Sequence, residues 1–84
     1  MYSLEIKKSV EKDFRKIPKN LQQKIWKSIE NLRTEPRPKN CRKLVGTESD
    51  YRIRIGDYRV VYRILDENRI VIIFAAEHRK DIYR

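Results

Sequence analysis

Three arginines are spaced so that their side chains should lie close together. Residues 51–62 read YRIRIGDYRVVY, two alternating runs on either side of Gly56-Asp57. That dipeptide is typical of a two-residue hairpin loop, because glycine accepts the positive φ that such a loop needs. The loop places Arg54 opposite Arg59, and Arg52 lies two positions along the same face. Like charges placed opposite each other destabilise a sheet, so the cluster indicates an anionic ligand, with RNA phosphate as the leading candidate.

The overall charge also indicates a polyanionic partner. The 84 residues include 21 Lys and Arg against 12 Asp and Glu, for a formal net charge of +9. Residues 39–84 hold eight arginines, whereas residues 1–38 hold three. Because the planar guanidinium binds phosphate through paired hydrogen bonds and stacks on bases, the second half is the predicted binding region. Some of these arginines are expected only to pair with surface carboxylates, which contributes little to stability.

Several functional classes are excluded by what the sequence lacks. Cys41 is the single cysteine and His78 the single histidine, so we expect neither a disulfide nor a zinc site. There is no Gly-rich phosphate loop, and we expect no metal and no small-molecule cofactor. No signal peptide or long apolar run is present, which favours a cytoplasmic protein without membrane contact. The length predicts one domain over residues 1–84.

The first half of the sequence predicts a strand followed by a helical hairpin. Residues 2–7 alternate between apolar and polar types, as in a half-buried strand. Ser9 is expected to cap a first helix that ends before Pro18, and Asn20 is a candidate cap for a second. Five apolar residues of the second helix form a stripe that should enter the core: Leu21, Ile25, Trp26, Ile29 and Leu32.

The second half predicts three or four strands. Residues 43–46 suit a short strand, and the hairpin then occupies residues 51–65. Residues 70–76 are apolar on both faces, as in a central strand. The predicted fold class is therefore α+β: an N-terminal strand, a helical hairpin, and a three- to four-stranded antiparallel sheet packed against the helices. On the apolar face of the hairpin, three tyrosines are expected in the core: Tyr51, Tyr58 and Tyr62.

Three stretches of the chain together resemble toxins of the RelE/ParE superfamily from type II toxin–antitoxin systems. They are residues 42–46, the hairpin over residues 51–64, and the closing run over residues 78–84. The resemblance covers nearly the whole chain and implies a RelE-like fold. Its RelE branch implies a ribosome-dependent mRNA interferase, which cuts mRNA in the ribosomal A site by attack of the ribose 2′-OH on the adjacent phosphate. No metal is implied.

The resemblance also implies a set of catalytic residues: Arg52, Arg54, Arg59, Arg79 and Tyr83. Cations aimed at the nonbridging oxygens stabilise the charge that develops there, and Arg59 and Arg52 are expected to do this. Arg79 is expected to stabilise or protonate the leaving 5′-oxygen. Tyr83 is expected to stack on a base or to orient the 2′-OH. Four further cations are expected to contact RNA: Lys39, Lys43, Lys80 and Arg84.

One departure from the RelE pattern concerns the proton acceptor. Studied relatives carry lysines at the positions of Arg52 and Arg54, and a guanidinium scarcely gives up its proton. Arg54 is therefore a weak candidate for the general base. His78 is the substitute that the sequence offers, since the ordinary imidazole pKa of ~6.5 suits proton transfer.

Two other functions share the predicted fold. One is a ParE-like toxin that inhibits DNA gyrase by binding protein, and the other is a non-catalytic RNA-binding relative. ParE-like chains generally lack the basic and tyrosine set present here, which favours the RelE reading. A toxin of either kind implies a cognate antitoxin. We expect an acidic, partly disordered antitoxin segment that covers the arginines.

Overall fold

Five strands and three helices make up residues 1–82, the part of the chain that the computed structural model describes, with side chains described as far as residue 80. In chain order the elements are β1 (Ser3–Ile6), α1 (Lys8–Arg15), α2 (Lys19–Asn31), β2 (Cys41–Lys43), β3 (Asp50–Ile55), β4 (Tyr58–Leu65), β5 (Ile70–His78) and α3 (Arg79–Ile82). This order confirms the predicted α+β class.

The strands form one mixed sheet in the spatial order β1-β5-β4-β3-β2. All neighbours are antiparallel except β1 and β5, which pair in parallel from Ser3 opposite Ile70 to Ile6 opposite Ile73. The predicted antiparallel part is confirmed over four strands. The N-terminal strand adds a fifth, so that β5 lies between the first and the penultimate strands of the chain.

The β3–β4 hairpin has the predicted register. Ile55 pairs with Tyr58 and Arg54 with Arg59, so Gly56-Asp57 forms the two-residue loop. Gly56 adopts a φ of 60°, which matches the positive φ at the first position of a type II′ turn. The Gly56-Asp57 dipeptide, which is visible in the sequence, therefore sets the register of the hairpin.

The core lies between the inward face of the sheet and the two longer helices. On the hairpin its members alternate along the chain: Ile53, Ile55, Val60, Tyr62 and Ile64 are all buried. From α2 the core receives Ile25 and Ile29, spaced one turn apart, and Leu32 follows in the next turn. Tyr51 and Tyr58 are partly buried against the same cluster, which confirms the predicted core face.

Trp26 is the exception to the predicted helical stripe. Its side chain is 38% exposed, and its ring meets that of Phe14 edge-on with centroids 6.1 Å apart. Neighbouring helical residues are rotated by ~100° about the axis, so a helix that buries Ile25 turns Trp26 toward the rim. The prediction of a core position for Trp26 is wrong.

The two predicted helix caps are also wrong. Lys7 occupies the N-cap position of α1 without a side-chain hydrogen bond, and Asn20 lies inside α2, which follows Pro18 directly. The Ser9 hydroxyl instead donates to the Phe74 carbonyl at 2.9 Å. Because β1 ends at residue 6, the edge of β5 needs other partners beyond that point, and α1 supplies them.

A second side chain of α1 completes the protection of this edge. The Asp13 carboxylate accepts a hydrogen bond from the Ala76 amide at 2.9 Å. The contacts of Ser9 and Asp13 together continue the hydrogen bonding of β5 after its parallel partner has ended. Helix α1 therefore fixes the end of β5 that leads into α3.

The strand predicted over residues 43–46 lies slightly earlier, as β2. Its pairing ends with Lys43 opposite Tyr51, and the Leu44 amide then donates to the Asp50 carbonyl at 2.9 Å. Gly46 follows with a φ of 86°, a conformation that a strand does not use. The chain has therefore already entered the turn at residue 44.

An exposed polar network ties the loop after α2 to the sheet. Arg37 donates to both oxygens of Asp66 at 2.8 and 3.3 Å, and the Tyr2 hydroxyl donates to the same carboxylate at 2.7 Å. The hydrogen bonds from Arg37 and then from Tyr2 hold the pKa of Asp66 below its ordinary value of 3.8. Nearby, the buried Tyr62 donates to the Pro36 carbonyl at 2.7 Å.

We expect Asp66→Asn to lower the free energy of unfolding at neutral pH, and its deficit to shrink in acid. A carboxylate whose pKa is lowered by folding stabilises the protein above its unfolded pKa, and this contribution is lost as the pH falls through the folded value. Urea unfolding of the wild type and of Asp66→Asn, at neutral pH and well below pH 3.8, measures the difference in their free energies of unfolding. A deficit that stays constant with pH would contradict the role of the ionised carboxylate.

Candidate functional site

The predicted arginines lie together on the outward face of the sheet. Arg54 and Arg59 are a direct cross-strand pair, and Arg52 pairs with Val61 on the same face. Since Ile53 and the other inward residues of the hairpin are buried, the pleat turns these arginines away from the helices. Arg54 is exposed, whereas Arg52 and Arg59 are half-buried.

Helix α3 brings a further arginine to this pair. The backbone amide of Arg79 donates to the Asp57 carbonyl at 2.8 Å, and its side-chain Nε lies 3.6 Å from Asp57 Oδ1. Arg79 therefore rests against the hairpin loop. One cavity of about 260 Å³ results, which we call the arginine cavity; its lining is Arg54, Asp57, Tyr58, Arg59 and Arg79.

The edge strand β2 adds a cation that the sequence analysis did not single out. Arg42 pairs with Arg52, so the two share the outward face. Lys43, which was predicted to contact RNA, pairs with Tyr51 and so lies on the face toward the core. The pairing of β2 with β3 therefore places Arg42 on the outward face and Lys43 on the other, because successive side chains of a strand point to opposite faces.

His78 lies on the other face of the sheet from the arginine cavity. It pairs with Tyr58, and the two rings meet edge-on with centroids 5.0 Å apart. Its Nδ1 accepts a hydrogen bond from the Lys80 amide at 3.1 Å. With Asp13, Lys16 and Glu77 it lines a separate cavity of about 560 Å³, and Tyr58 borders both this cavity and the arginine cavity. The position predicted for a proton acceptor is thus turned away from the arginine pair.

The remaining predicted contacts are placed as follows. Lys80 lines the same separate cavity as His78, and Lys39 is exposed in the turn before β2. Tyr83 and Arg84 lie outside the described residues. The structure therefore brings together four of the predicted catalytic residues on the outward side of the sheet: Arg52, Arg54, Arg59 and Arg79.

An aromatic ring continues the basic face toward β1. The register of β4 and β5 shifts between Val61 and Tyr62, so Phe74 has no direct partner on β4. Its ring centroid lies 5.1 Å from Arg63 Cζ and 5.9 Å from Lys7 Nζ, both within cation–π range. Arg63 is also paired with both oxygens of Asp50, at 2.7 and 3.2 Å. The contacts of Phe74 with Arg63 and Lys7 depend on the register shift, and no local sequence pattern predicts them.

One acid stands directly beside the arginine pair. Glu77 is half-buried and pairs with Arg59, so its side chain lies on the outward face. The row Arg54, Arg59 and Glu77 crosses three adjacent strands. The cations of this row suit an anion such as a phosphate group, and its carboxylate is a proton acceptor.

Within residues 1–82 the described side chains form no group of three or more His, Cys, Asp or Glu that could hold a metal ion. None of the described helices has the length and apolar character to cross a membrane. The described part of the site therefore consists of guanidinium groups, carboxylates and aromatic rings.

The sequence matches a family model over residues 4–83, described as the ParE toxin of the type II toxin–antitoxin system parDE. The chain belongs to the RelE/ParE superfamily of toxins. It is 37% identical over 86 residues to a Methanocaldococcus jannaschii protein that bears the name of toxin RelE1, covering 99% of this chain and 96% of that relative. The predicted family is therefore confirmed.

Solved RelE structures have the same fold as this toxin. RelE in the archaeal RelE–RelB complex from Pyrococcus horikoshii OT3 superposes with a TM-score of 0.83 at 31% identity, covering 93% of this chain and 94% of that chain. RelE in the intact Escherichia coli RelBE toxin–antitoxin complex superposes with a TM-score of 0.78 at 26% identity, covering 93% and 96%. The fold of the toxin is thus that of RelE.

We expect Arg54→Gln to reduce the salt dependence of binding to a short single-stranded RNA. Each phosphate contact releases counterions, and losing one lowers the slope of log K against log salt by ~0.7. Fluorescence titration over a series of salt concentrations measures the slope. Arg15→Gln, at an exposed arginine of α1, is the matched control and should keep the wild-type slope. Equal slopes for all three proteins would contradict an RNA-binding role of the outward face.

Proposed function

We propose that this toxin is a ribosome-dependent mRNA endoribonuclease that cuts mRNA in the ribosomal A site. The observation that carries the proposal is the convergence of Arg54, Arg59 and Arg79 on one cavity at the outward face of the sheet. Attack of a ribose 2′-OH on the neighbouring phosphate builds charge on the nonbridging oxygens, and preorganised cations stabilise that charge without a metal. Membership of the RelE/ParE superfamily supports the same activity.

The geometry divides the work among the arginines. Arg54 and Arg59 present two guanidinium groups at neighbouring strand positions and would hold the nonbridging oxygens. Arg79 reaches the cavity from the start of α3, beside the loop, and would stabilise the leaving 5′-oxygen. Arg52 lies two positions along β3 from Arg54, opposite Arg42, and would hold an adjacent phosphate. Tyr83 would stack on a base or orient the 2′-OH.

Four further cations would contact the RNA of the ribosome. Lys39 and Lys80 are exposed and would contact ribosomal RNA, as would Arg84. Lys43 would contact it only from the other side of the sheet, where its strand position places it. Because the substrate is translated mRNA, the proposed location is the cytoplasm.

We propose that a cognate antitoxin restrains the toxin by covering the outward face. The similar P. horikoshii structure is a RelE–RelB complex, and the similar E. coli structure is the intact RelBE toxin–antitoxin complex. The net charge of +9 favours an acidic segment. Such a segment would place carboxylates where the phosphates of the substrate would otherwise lie, so inhibition would be competitive.

Gyrase inhibition is the second candidate function. The matching family model is that of the ParE toxin, and ParE-like toxins share this fold. Such a toxin binds protein and needs no cavity for a phosphate. The cross-strand pair of Arg54 and Arg59 therefore favours RNA cleavage, since a pair of like charges is stabilised by an anion between its members.

We expect purified toxin to cut an mRNA during translation in vitro, with cuts at A-site codons mapped by primer extension. Arg59→Ala should lower the cleavage rate ~100- to 1,000-fold, because a preorganised donor to the developing charge is lost. Arg15→Ala is the matched control and should cut like the wild type. A reaction without ribosomes should show no cleavage.

The same assay separates the candidate functions. Cleavage without ribosomes would contradict ribosome dependence. Absence of cleavage by the wild type under every condition would refute the nuclease, and loss of gyrase supercoiling activity on adding the toxin would then establish the ParE-like function.

We expect binding of the antitoxin and of RNA to exclude each other. The antitoxin to use is the cognate one, which we expect to be a short acidic protein encoded beside the toxin. Its titration into a complex of toxin with fluorescent RNA should release the RNA, and cleavage should stop at one equivalent. A ternary complex that still cuts mRNA would show that the antitoxin leaves the outward face open.

A further inference from the structure

The proposed reaction needs a proton acceptor that the arginines cannot supply. A 2′-OH attacks efficiently only when its proton is taken as the new bond forms. Guanidinium groups remain protonated near neutral pH and have no lone pair that accepts a proton. Arg54, Arg59 and Arg79 therefore stabilise charge in the arginine cavity, but an acid of the site has to take this proton.

We propose that Glu77 is the general base, an inference that rests on the proposed RNA cleavage. Glu77 is the direct cross-strand neighbour of Arg59, as Arg54 is on the other side. Directly opposite residues have Cβ atoms ~5 Å apart. A phosphate held by Arg59 would thus lie within reach of the Glu77 carboxylate, with Arg54 on its far side.

Other acceptors near this end of the sheet already have a partner in the structure, as the Asp13 carboxylate has in the Ala76 amide. Asp57 lines the arginine cavity but faces Arg79, with Arg79 Nε 3.6 Å from its Oδ1. His78 packs its ring on Tyr58 on the opposite face and accepts a hydrogen bond from the Lys80 amide. Glu77 also borders the cavity that His78 lines, but the strand register places it directly opposite Arg59.

The step balances with the groups named. The Glu77 carboxylate takes the proton of the 2′-OH, and the 2′-oxygen forms a bond to phosphorus. The bond from phosphorus to the 5′-oxygen breaks, and its electron pair stays on the 5′-oxygen, which takes a proton from water. The products are a 2′,3′-cyclic phosphate and a 5′-hydroxyl end, and Glu77 returns its proton to solvent.

Glu77→Gln distinguishes a base from a mere counterion of Arg59. The amide keeps the size of the side chain but accepts no proton. We expect the single-turnover cleavage rate at saturating ribosome complex to fall at least ~100-fold, the ordinary range for general base catalysis. Affinity for single-stranded RNA should stay equal or rise, because a negative charge beside the phosphate is removed.

The pH dependence provides a second readout. The wild-type rate should fall on acidification, since a protonated carboxyl group accepts no proton, whereas the residual rate of Glu77→Gln should lack this fall. Glu5→Gln is the matched control: it removes one exposed acid on the neighbouring strand β1, where Glu5 pairs with Ile72, far along β5 from Glu77. It should cut like the wild type.

Three outcomes would overturn the assignment. Glu77→Gln with the wild-type rate and pH profile would make the acid a counterion. Loss of RNA affinity without loss of the saturated rate would make it a structural residue. Abolition of the acid limb by Asp57→Asn or His78→Gln instead would move the base to that residue. Failure of the wild-type toxin to cut would refute the proposed function itself. The wild-type sample in the same assay therefore distinguishes this failure from a failure of the Glu77 assignment.

Discussion

Burial of one face of the β3–β4 hairpin is the interaction on which the site depends. Each large apolar side chain that leaves water contributes ~1.5–3 kcal/mol, and Ile53, Val60 and Tyr62 are fully buried. A favourable cross-strand side-chain pair contributes ~0.2–1 kcal/mol, and like charges placed opposite each other act in the other direction. The inward face therefore outweighs the repulsion between Arg54 and Arg59 several times over. The pleat is held in the one register that turns both arginines outward.

Much of this was predictable because the signals are local. Alternation with period two and the Gly56-Asp57 loop determine the register of the hairpin, and with it the partners of Arg54 and Arg59. The wrong predictions concern residues whose partners are determined by contacts with distant parts of the chain. Ser9 satisfies the open edge of β5 rather than the end of its own helix, because β1 stops at residue 6. Trp26 turns outward because Ile25 takes the inward position.

The cross-strand neighbours that come from distant parts of the chain could not be predicted from the sequence. Arg42 rather than Lys43 shares a face with Arg52, because β2 pairs with β3 in the register that sets Arg42 opposite Arg52. Glu77 and Arg59 lie 18 positions apart, and only the pairing of β4 with β5 makes them adjacent. The approach of Arg79 to the loop similarly depends on where α3 begins. Sequence reasoning thus identified four of the arginines but missed Arg42 and the acid beside Arg59.

The parallel pairing of β1 with β5 has a consequence for how the protein is made. Strand β1, the first of the described strands, has its partner in β5, the last of them, with Ser3 opposite Ile70. Strand β5 also carries Glu77 and leads directly into Arg79. A nascent chain that ends before residue 70 has neither a closed sheet nor a complete arginine cavity. The sheet and the arginine cavity are therefore completed together, by β5 and the residue that follows it.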